Sequence, residues 1–210
     1  MLCLFDLDGT LVDSEPGITA CIRYAFDRLG VAAPVNLKPW IGPPLRHSFA
    51  PYLDGDGARI EAAVAAYHER FANAGWREYA IYAGIGKVIE SLHAAGHRLA
   101  IVTGKPVEHA TPIVRSLPFG AAFGRIYGPL PTATRSEKAT MIARALDDFA
   151  STARNAVMVG DRHFDIDGAL ANRVRGIGVL WGFGSRDELV NAGAKTLAAT
   201  PAELMAALAA

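Results

Sequence analysis

Residues 2–10 read LCLFDLDGT, an apolar run followed at once by two acids, Asp6 and Asp8, and then by a glycine and a threonine. The run Leu2 to Phe5 is too short for a useful helix and is typical of a buried strand. Ligands bind beyond the carboxyl ends of the strands in an open α/β sheet, so both acids are candidate site residues. Two such close carboxylates favour a bound cation, most plausibly Mg²⁺, which would also attract a phosphate group. Gly9 would let the backbone approach an oxyanion.

The composition is that of an ordinary globular chain. Of 210 residues, 51% are hydrophobic and 20% are charged, and the 21 basic residues balance the 21 acidic ones. This length suits one large domain or a core with a modest insertion. The balanced charge gives no sign of a nucleic-acid polymer or a membrane surface as a partner, and no apolar run is long enough to span a membrane. Cys3 and Cys21 lack metal-type spacing, and the chain starts directly on its first strand, so we expect a cytoplasmic protein.

Two later apolar runs also end in polar residues. Arg98 to Val102 leads into Thr103, and Ala156 to Gly160 leads into Asp161, with Asp165 four residues further on at the start of a helix. A strand-end aspartate beside the first two acids would complete an oxygen-rich metal site. The second acid can orient ligands there and complement the helix dipole.

These motifs carry a family resemblance. Residues 6–14 (DLDGTLVDS) resemble the first motif of the haloacid dehalogenase-like hydrolases, in the phosphatase branch that includes phosphoglycolate phosphatases. The other three motifs of that family are similar to Thr103-Gly104, to Arg135–Lys138 and to Gly160-Asp161 with Asp165. The resemblance implies an α/β fold, a Rossmann-like three-layer parallel sheet core with a small α-helical cap inserted after the first strand. Relatives usually place a glycine near Arg173, so we expect Asn172 to take the left-handed position there.

The segment 15–78 shows helical spacing, several prolines and no evident strand. We therefore predict an α-helical cap over 15–78 and a core formed by 1–14 and 79–210. Ser14 and Ser136 are predicted to cap helices. Arg46 and His47 are the cap residues that could reach the site, the alternative being that both are solvated surface groups. Lys105 is expected at the surface near the site.

The resemblance also implies roles. Asp6 would attack phosphorus to form an aspartyl-phosphate, and Asp8 would protonate the leaving alcohol and then activate water. Mg²⁺ would be held by Asp6, the Asp8 carbonyl and Asp161, with Asp165 supporting the metal side. The groups that would hold or neutralise the substrate are Thr103, Gly104, Lys138 and, from the cap, Arg46. His163 is favoured as a surface or supporting residue over a general base.

Several functions stay open. The substrate would be a small phosphorylated metabolite such as phosphoglycolate. A 5'-nucleotidase-type phosphatase and a sugar phosphomutase would share the fold and both acids of the first motif. A dehalogenase would share the nucleophile, but such relatives usually lack the second acid, and Asp8 is present. A catalytically inactive binding or regulatory module on the same scaffold is the alternative of a different class.

Overall fold

The computed structural model describes residues 1–129 and 137–209. Its strands are β1 (Leu2–Phe5), β2 (Val12–Asp13), β3 (Ala80–Ile81), β4 (Arg98–Val102), β5 (Phe123–Tyr127), β6 (Ala156–Gly160), β7 (Arg175–Val179) and β8 (Thr196–Ala198). Its α-helices are α1 (Glu15–Arg28), α2 (Leu45–Phe49), α3 (Gly57–Asn73), α4 (Ile85–Ala94), α5 (Val107–Ser116), α6 (Lys138–Asp148), α7 (His163–Ala171), α8 (Arg186–Asn191) and α9 (Pro201–Ala209).

Six strands form one parallel sheet in the order β5-β4-β1-β6-β7-β8. β1 lies inside it, with Leu4 opposite Ala100 of β4 on one side and Met158 of β6 on the other. All four residues of β1 are buried, because helices cover both faces of the sheet. Burial on both faces explains why β1 is a continuous apolar run in the sequence.

The side chains of β1 alternate between two hydrophobic layers. Leu2 and Leu4 pack with Met141 and Ile142 of α6, whereas Cys3 and Phe5 pack with the layer that contains Ile89 of α4. This alternation is the period of two that a strand imposes on its side chains. Helices on both faces of a parallel sheet form the predicted three-layer α/β core, so the predicted fold class is confirmed.

The chain from α1 to α3 is helical and forms its own aromatic cluster. The ring of Phe26 lies 5.6 Å from that of Trp40 and 5.3 Å from that of Phe49. The antiparallel pair β2 and β3 joins this helical segment to the core, with Val12 opposite Ile81. This pair lies beside both ends of the predicted cap at 15–78. The residue boundaries of cap and core stay predictions.

Some local predictions were wrong. Ser14 does not cap α1: its buried hydroxyl has no hydrogen-bond partner among the described residues, while Asp13 Oδ1 accepts from the N–H of Glu15 at 3.1 Å. The left-handed residue after α7 is Arg173, with φ of 56°. Asn172 instead donates its amide to the carbonyls of Ala139 and Gly168, both at 2.9 Å, and these bonds keep it out of that conformation.

The other local predictions concern the cap at Ser136, the short strands and the two cysteines. The predicted cap Ser136, with Arg135, lies outside the described residues. Strands β2, β3 and β8 were not predicted, because segments of two or three residues carry too little pattern. Cys3 and Cys21 are free and buried. Among the described helices, none has the length and apolar character needed to cross a membrane.

Candidate active site

The site begins where β1 ends. The N–H of Asp6 still bonds to the carbonyl of Val159 in β6 at 2.9 Å, and the chain then turns, with the N–H of Leu11 bonding to the carbonyl of Leu7. Gly9 lies in this turn with φ of 81°, and a Cβ atom there would lie 2.2 Å from Asp161 Oδ2. Only glycine therefore fits between the turn and the aspartate of the neighbouring strand end.

Three buried carboxylates meet at this edge of the sheet. Asp6, Asp161 and Asp165 each place one oxygen within 4.8 Å of the others. Asp161 follows β6 and accepts hydrogen bonds from Thr10 Oγ1 at 3.3 Å and from the N–H of Phe183 at 2.7 Å. Asp165 lies in the first turn of α7, where its Oδ2 accepts from the N–H of Arg162 at 3.1 Å.

Lys138 joins two of these acids. Its Nζ atom lies 3.0 Å from Asp6 Oδ1 and 2.5 Å from Asp165 Oδ1, and it donates to the carbonyl of Val102 at 2.7 Å. The lysine begins α6 and is only 4% exposed. Burial by itself lowers the pKa of Lys138, but the charges of Asp165 and Asp6 raise it above its usual value.

Burial makes the acids reluctant to ionise. It raises the pKa of Asp6 to about 7, against the opposing charge of Lys138. Burial also raises the pKa of Asp161 well above its usual range, with the charge of Asp6 as the next cause. A buried cluster of carboxylate oxygens with one lysine is short of positive charge, which a small divalent cation would supply. The donor set therefore fits Mg²⁺.

Asp8 faces a different partner. Its Oδ1 atom lies 2.9 Å from Nζ of Lys105, and both side chains are largely buried. Its carboxylate is thus not part of the three-acid cluster, and the predicted metal contact of Asp8 is through its carbonyl. The prediction that Lys105 lies at the surface was wrong: the lysine is 8% exposed because it pairs with Asp8 and lies 4.9 Å from the ring centre of Phe71.

Thr103 lies at the end of β4, the neighbour of β1. It is 1% exposed, and its N–H bonds to the carbonyl of Tyr127 at 2.9 Å. Its hydroxyl oxygen accepts from the N–H of Lys105 at 3.2 Å. Gly104 follows on the cavity wall, where a Cβ atom would lie 3.3 Å from the carbonyl oxygen of Gly42.

A cavity of about 130 Å³ connects these residues to the cap. Arg46 of α2 lines it, with its guanidinium bound to Glu61 of α3 at 2.6 and 2.8 Å. His47, the other candidate from the cap, is exposed and does not line the cavity. His163 is also absent from the lining.

Sequence reasoning missed Arg162 as a link between core and cap. Its guanidinium donates to the carbonyl of Ile41, and its Nε atom lies 2.8 Å from Glu188 Oε1. Glu188 also accepts from the N–H of His163 at 2.9 Å. The position of Arg162 directly after a strand-end aspartate was a usable signal. His68 and His109, which also line the cavity, carried none.

Comparisons with known proteins identify the family of this chain. A family model described as haloacid dehalogenase-like hydrolase matches residues 3–179. A 5'-nucleotidase from Pseudomonas aeruginosa is 42% identical over 89% of this chain and 85% of its own length. Tyrosine-protein kinase PtkA from Mycobacterium tuberculosis is 35% identical over 99% of this chain and 72% of its own length.

Solved structures and further relatives point the same way. The crystal structure of a "predicted phosphatase" from Clostridium acetobutylicum superimposes with a TM-score of 0.92 at 34% identity, covering 99% of this chain and 97% of that one. Phosphoglycolate phosphatases of several bacteria match 87 to 89% of this chain at 26 to 27% identity.

Proposed function

The chain belongs to the haloacid dehalogenase-like hydrolases, and on that premise we propose that it is a Mg²⁺-dependent phosphatase of small phosphate monoesters. The observation that carries the proposal is the position of Lys138, which bridges Asp6 at the end of β1 and Asp165 at the start of α7. A carboxylate held beside an ammonium group and two further buried acids can serve as a nucleophile toward an anionic phosphoryl group.

In the proposed reaction a carboxylate oxygen of Asp6 attacks phosphorus. A bond forms between that oxygen and phosphorus as the bond to the leaving alcohol oxygen breaks, and Asp8 gives the alcohol its proton. Asp8 then takes a proton from the water that attacks the aspartyl-phosphate. Inorganic phosphate leaves, and both aspartates return to their initial states.

The other residues hold the phosphoryl group and its charge. We assign the Thr103 hydroxyl, the Gly104 N–H and the ammonium of Lys138 to the phosphoryl oxygens. Asp6, Asp161 and the Asp8 carbonyl would hold Mg²⁺, which when bound neutralises charge on the transferring group. Asp165 positions Lys138. Enzymatic acceleration of phosphate monoester hydrolysis reaches about 10²¹, so most of it must come from such positioning and charge stabilisation.

The substrate would be a small phosphorylated metabolite. Relatives named phosphoglycolate phosphatase and 5'-nucleotidase support two candidates, phosphoglycolate and a nucleoside monophosphate. A sugar phosphomutase and an inactive binding module remain alternatives from the sequence. The absence of a disulfide between the two buried cysteines supports a cytoplasmic location.

Phosphoryl transfer to a protein is a second candidate function, because a relative 35% identical to this chain is named a tyrosine-protein kinase. Against it, the sequence contains neither a G-x-G-x-x-G loop nor a G-x-x-x-x-G-K-[ST] loop, the glycine-rich motifs that hold nucleotide phosphates. Incubation with γ-labelled ATP and a tyrosine-containing protein separates the two, since a kinase labels the protein and a phosphatase releases phosphate alone.

The deciding experiment measures phosphate release from p-nitrophenyl phosphate with and without Mg²⁺, for the wild type and for Asp6→Asn. We expect turnover only with Mg²⁺ and a loss of at least 1000-fold in the variant, because the amide is not a nucleophile. Sugar-phosphate isomerisation in place of phosphate release would identify a mutase. Full activity of Asp6→Asn would refute the assignment of the nucleophile.

A further inference from the structure

A row of side chains leads from Asp8 across the cavity to the cap. The Nζ atom of Lys105 lies 2.9 Å from Asp8 Oδ1 and 4.9 Å from the centre of the Phe71 ring. The ring centres of Phe71 and His109 lie 4.8 Å apart, and those of His109 and His68 lie 4.7 Å apart. All five residues line the same cavity. The row therefore begins at Asp8, which would protonate the leaving alcohol. It continues along the cavity in which that alcohol would lie.

The aromatic part of this row is built from both halves of the molecule. Phe71 and His68 lie on α3 of the helical segment 15–78, and His109 lies on α5 beside the core sheet. Tyr67, also on α3, stacks on Phe71 with ring centres 6.0 Å apart and planes 10° apart. The result is a wall of flat rings, which suits a flat ring on the ligand.

Among the residues that the structure describes, each cation that lines the cavity is bound to a carboxylate. Lys105 pairs with Asp8, Arg162 with Glu188 and Arg46 with Glu61. A second anion on the substrate, such as the carboxylate of phosphoglycolate, would have to compete with one of these acids. Such competition is unfavourable at Lys105 and Arg162, since Asp8 and Glu188 would lose their partners in partly buried places. Glu61 is mostly exposed, so Arg46 is held less firmly than the other two cations.

The two histidines add no positive charge at neutral pH. Burial, followed by the charge of His68, lowers the pKa of His109 to about 4. Burial also lowers the pKa of His68, and among the charges that face it the cation of Arg46 acts in the same direction, while Glu108 and Glu61 oppose it. The wall is thus aromatic and neutral.

One polar atom in this wall lacks a partner. Nδ1 of His68 is buried, and no described residue forms a hydrogen bond with it. Buried polar atoms are nearly always paired, so one left unpaired beside a cavity indicates a ligand with a polar edge. A purely hydrocarbon ring would not satisfy it, whereas a heteroaromatic ring would.

We propose that the substrate's alcohol carries a flat, uncharged heteroaromatic ring, as a nucleoside 5'-monophosphate does, and that His109 and His68 bind this ring. The inference rests on the proposed phosphatase function and narrows it from small phosphate monoesters to this class. His109 supplies the stacking surface, which the buried ring of Phe71 supports, and His68 supplies a hydrogen bond to the edge of the ligand's ring.

The test compares kcat/KM for three substrates with Mg²⁺: uridine 5'-monophosphate, methyl ribofuranoside 5-phosphate, which lacks only the base, and 2-phosphoglycolate. We expect the nucleotide to exceed each of the others at least ten-fold, chiefly through a lower KM. Equal values for the first two, or a higher value for 2-phosphoglycolate, would overturn the inference while leaving a phosphatase in place. Absence of turnover with all three and with p-nitrophenyl phosphate would refute the phosphatase function itself, and the inference with it.

Variants test whether the preference for the nucleotide over the base-free analogue arises in the aromatic wall. His109→Ala and His68→Ala should each lower the ratio of kcat/KM for uridine 5'-monophosphate to that for the base-free analogue by at least five-fold. His93→Ala, an exposed histidine on α4, is the matched control and should leave the ratio within two-fold. Two wall variants with an unchanged ratio would show that the base binds elsewhere, and circular dichroism identifies any variant that fails to fold. If His109→Ala fails to fold, the conservative change His109→Gln replaces it.

Discussion

Lys105 places its ammonium group 2.9 Å from Oδ1 of Asp8 while lying against the ring of Phe71 on α3. This pair ties the proposed general acid to the helical segment that covers the site. A carboxylate held by one buried lysine keeps a fixed direction, and general acid–base catalysis depends on such direction. The pair therefore makes Lys105 a positioning residue for Asp8.

We predict that Lys105→Met lowers kcat by about 10- to 100-fold, which is at or below the lower end of the ~10²- to 10⁴-fold that general acid–base catalysis contributes, because Asp8 itself remains. Lys105→Arg should recover part of the loss, because it keeps a cation near Asp8. Steady-state kinetics on p-nitrophenyl phosphate measure both. Lys87→Met, an exposed lysine on α4, is the control. A Lys105→Met enzyme with unchanged kcat would show that Asp8 needs no such partner.

The three-acid cluster predicts a strong response of stability to Mg²⁺. Binding to the folded state alone adds about 2.7 kcal/mol when the free ion is 100-fold above its Kd. For a chain of this size that corresponds to a rise in Tm of about 5 °C or more. Asp161→Asn should lose the rise, because it removes one of the buried ligands.

Differential scanning calorimetry in EDTA and in excess Mg²⁺ measures this response. Asp167→Asn is the matched control: Asp167 lies on the same helix as Asp165 but is exposed, so its loss should leave the Mg²⁺ response intact. An equal response in the wild type and in Asp161→Asn would place the cation elsewhere.

The raised pKa of Asp6 predicts a pH dependence with a definite sign. The folded state holds the proton of Asp6 up to about pH 7, whereas an unfolded aspartate loses it near ~4. Between these values the folded state binds more protons, so the contribution of Asp6 to stability falls as pH rises. Asp6→Asn removes the effect.

In EDTA, the Tm of Asp6→Asn minus that of the wild type should therefore increase between pH 5 and pH 7, by roughly 5 °C. Taking the difference cancels the groups whose titration does not depend on Asp6; Asp161, whose pKa the charge of Asp6 helps to raise, is not among them. A difference that stays constant between pH 5 and pH 7 would mean that Lys138, rather than burial, dominates the titration of Asp6.

The sequence predicts the core well because the sheet is parallel and buried on both faces. β1, β4 and β6 appear as short, mostly apolar runs with the same bounds in sequence and structure. Their order in the sheet brings Asp6, Thr103 and Asp161 to one edge, since parallel strands end together. Local pattern was sufficient for this part of the site.

The cap side of the site depends on packing between distant segments, which no local pattern records. His68 and His109 are 41 positions apart and meet only because α3 packs over α5. Lys105 was predicted to lie at the surface, because the sequence around it does not indicate a buried ion pair with Asp8. Arg173 rather than Asn172 has the left-handed conformation, and the Asn172 amide donates to one carbonyl of α6, Ala139, and to one of its own helix, Gly168.

Arg46 was predicted to bind substrate, and the variant Arg46→Ala tests this. The side chain lines the cavity and is held by Glu61, so its loss should raise KM for a phosphate monoester by about 3- to 10-fold with kcat within two-fold. Arg59→Ala is the control, because Arg59 pairs with the exposed Asp54 on the surface of the cap. An unchanged KM would remove Arg46 from the binding residues.

Alanine substitutions at Gly9 and Gly30 separate the effect of backbone strain from the effect of a steric clash. Both have positive φ, 81° and 65°, so alanine at either position adds backbone strain of about 1 kcal/mol or more. A Cβ atom at Gly30 meets nothing within 4 Å, whereas one at Gly9 would lie 2.2 Å from Asp161 Oδ2. Gly30→Ala should thus lower Tm by a few degrees and leave kcat/KM unchanged. Gly9→Ala should lose both the Mg²⁺-induced rise in Tm and at least 100-fold in kcat/KM, since Asp161 must move. Equal effects of the two substitutions on activity would show that the turn at Gly9 tolerates displacement of the acid behind it.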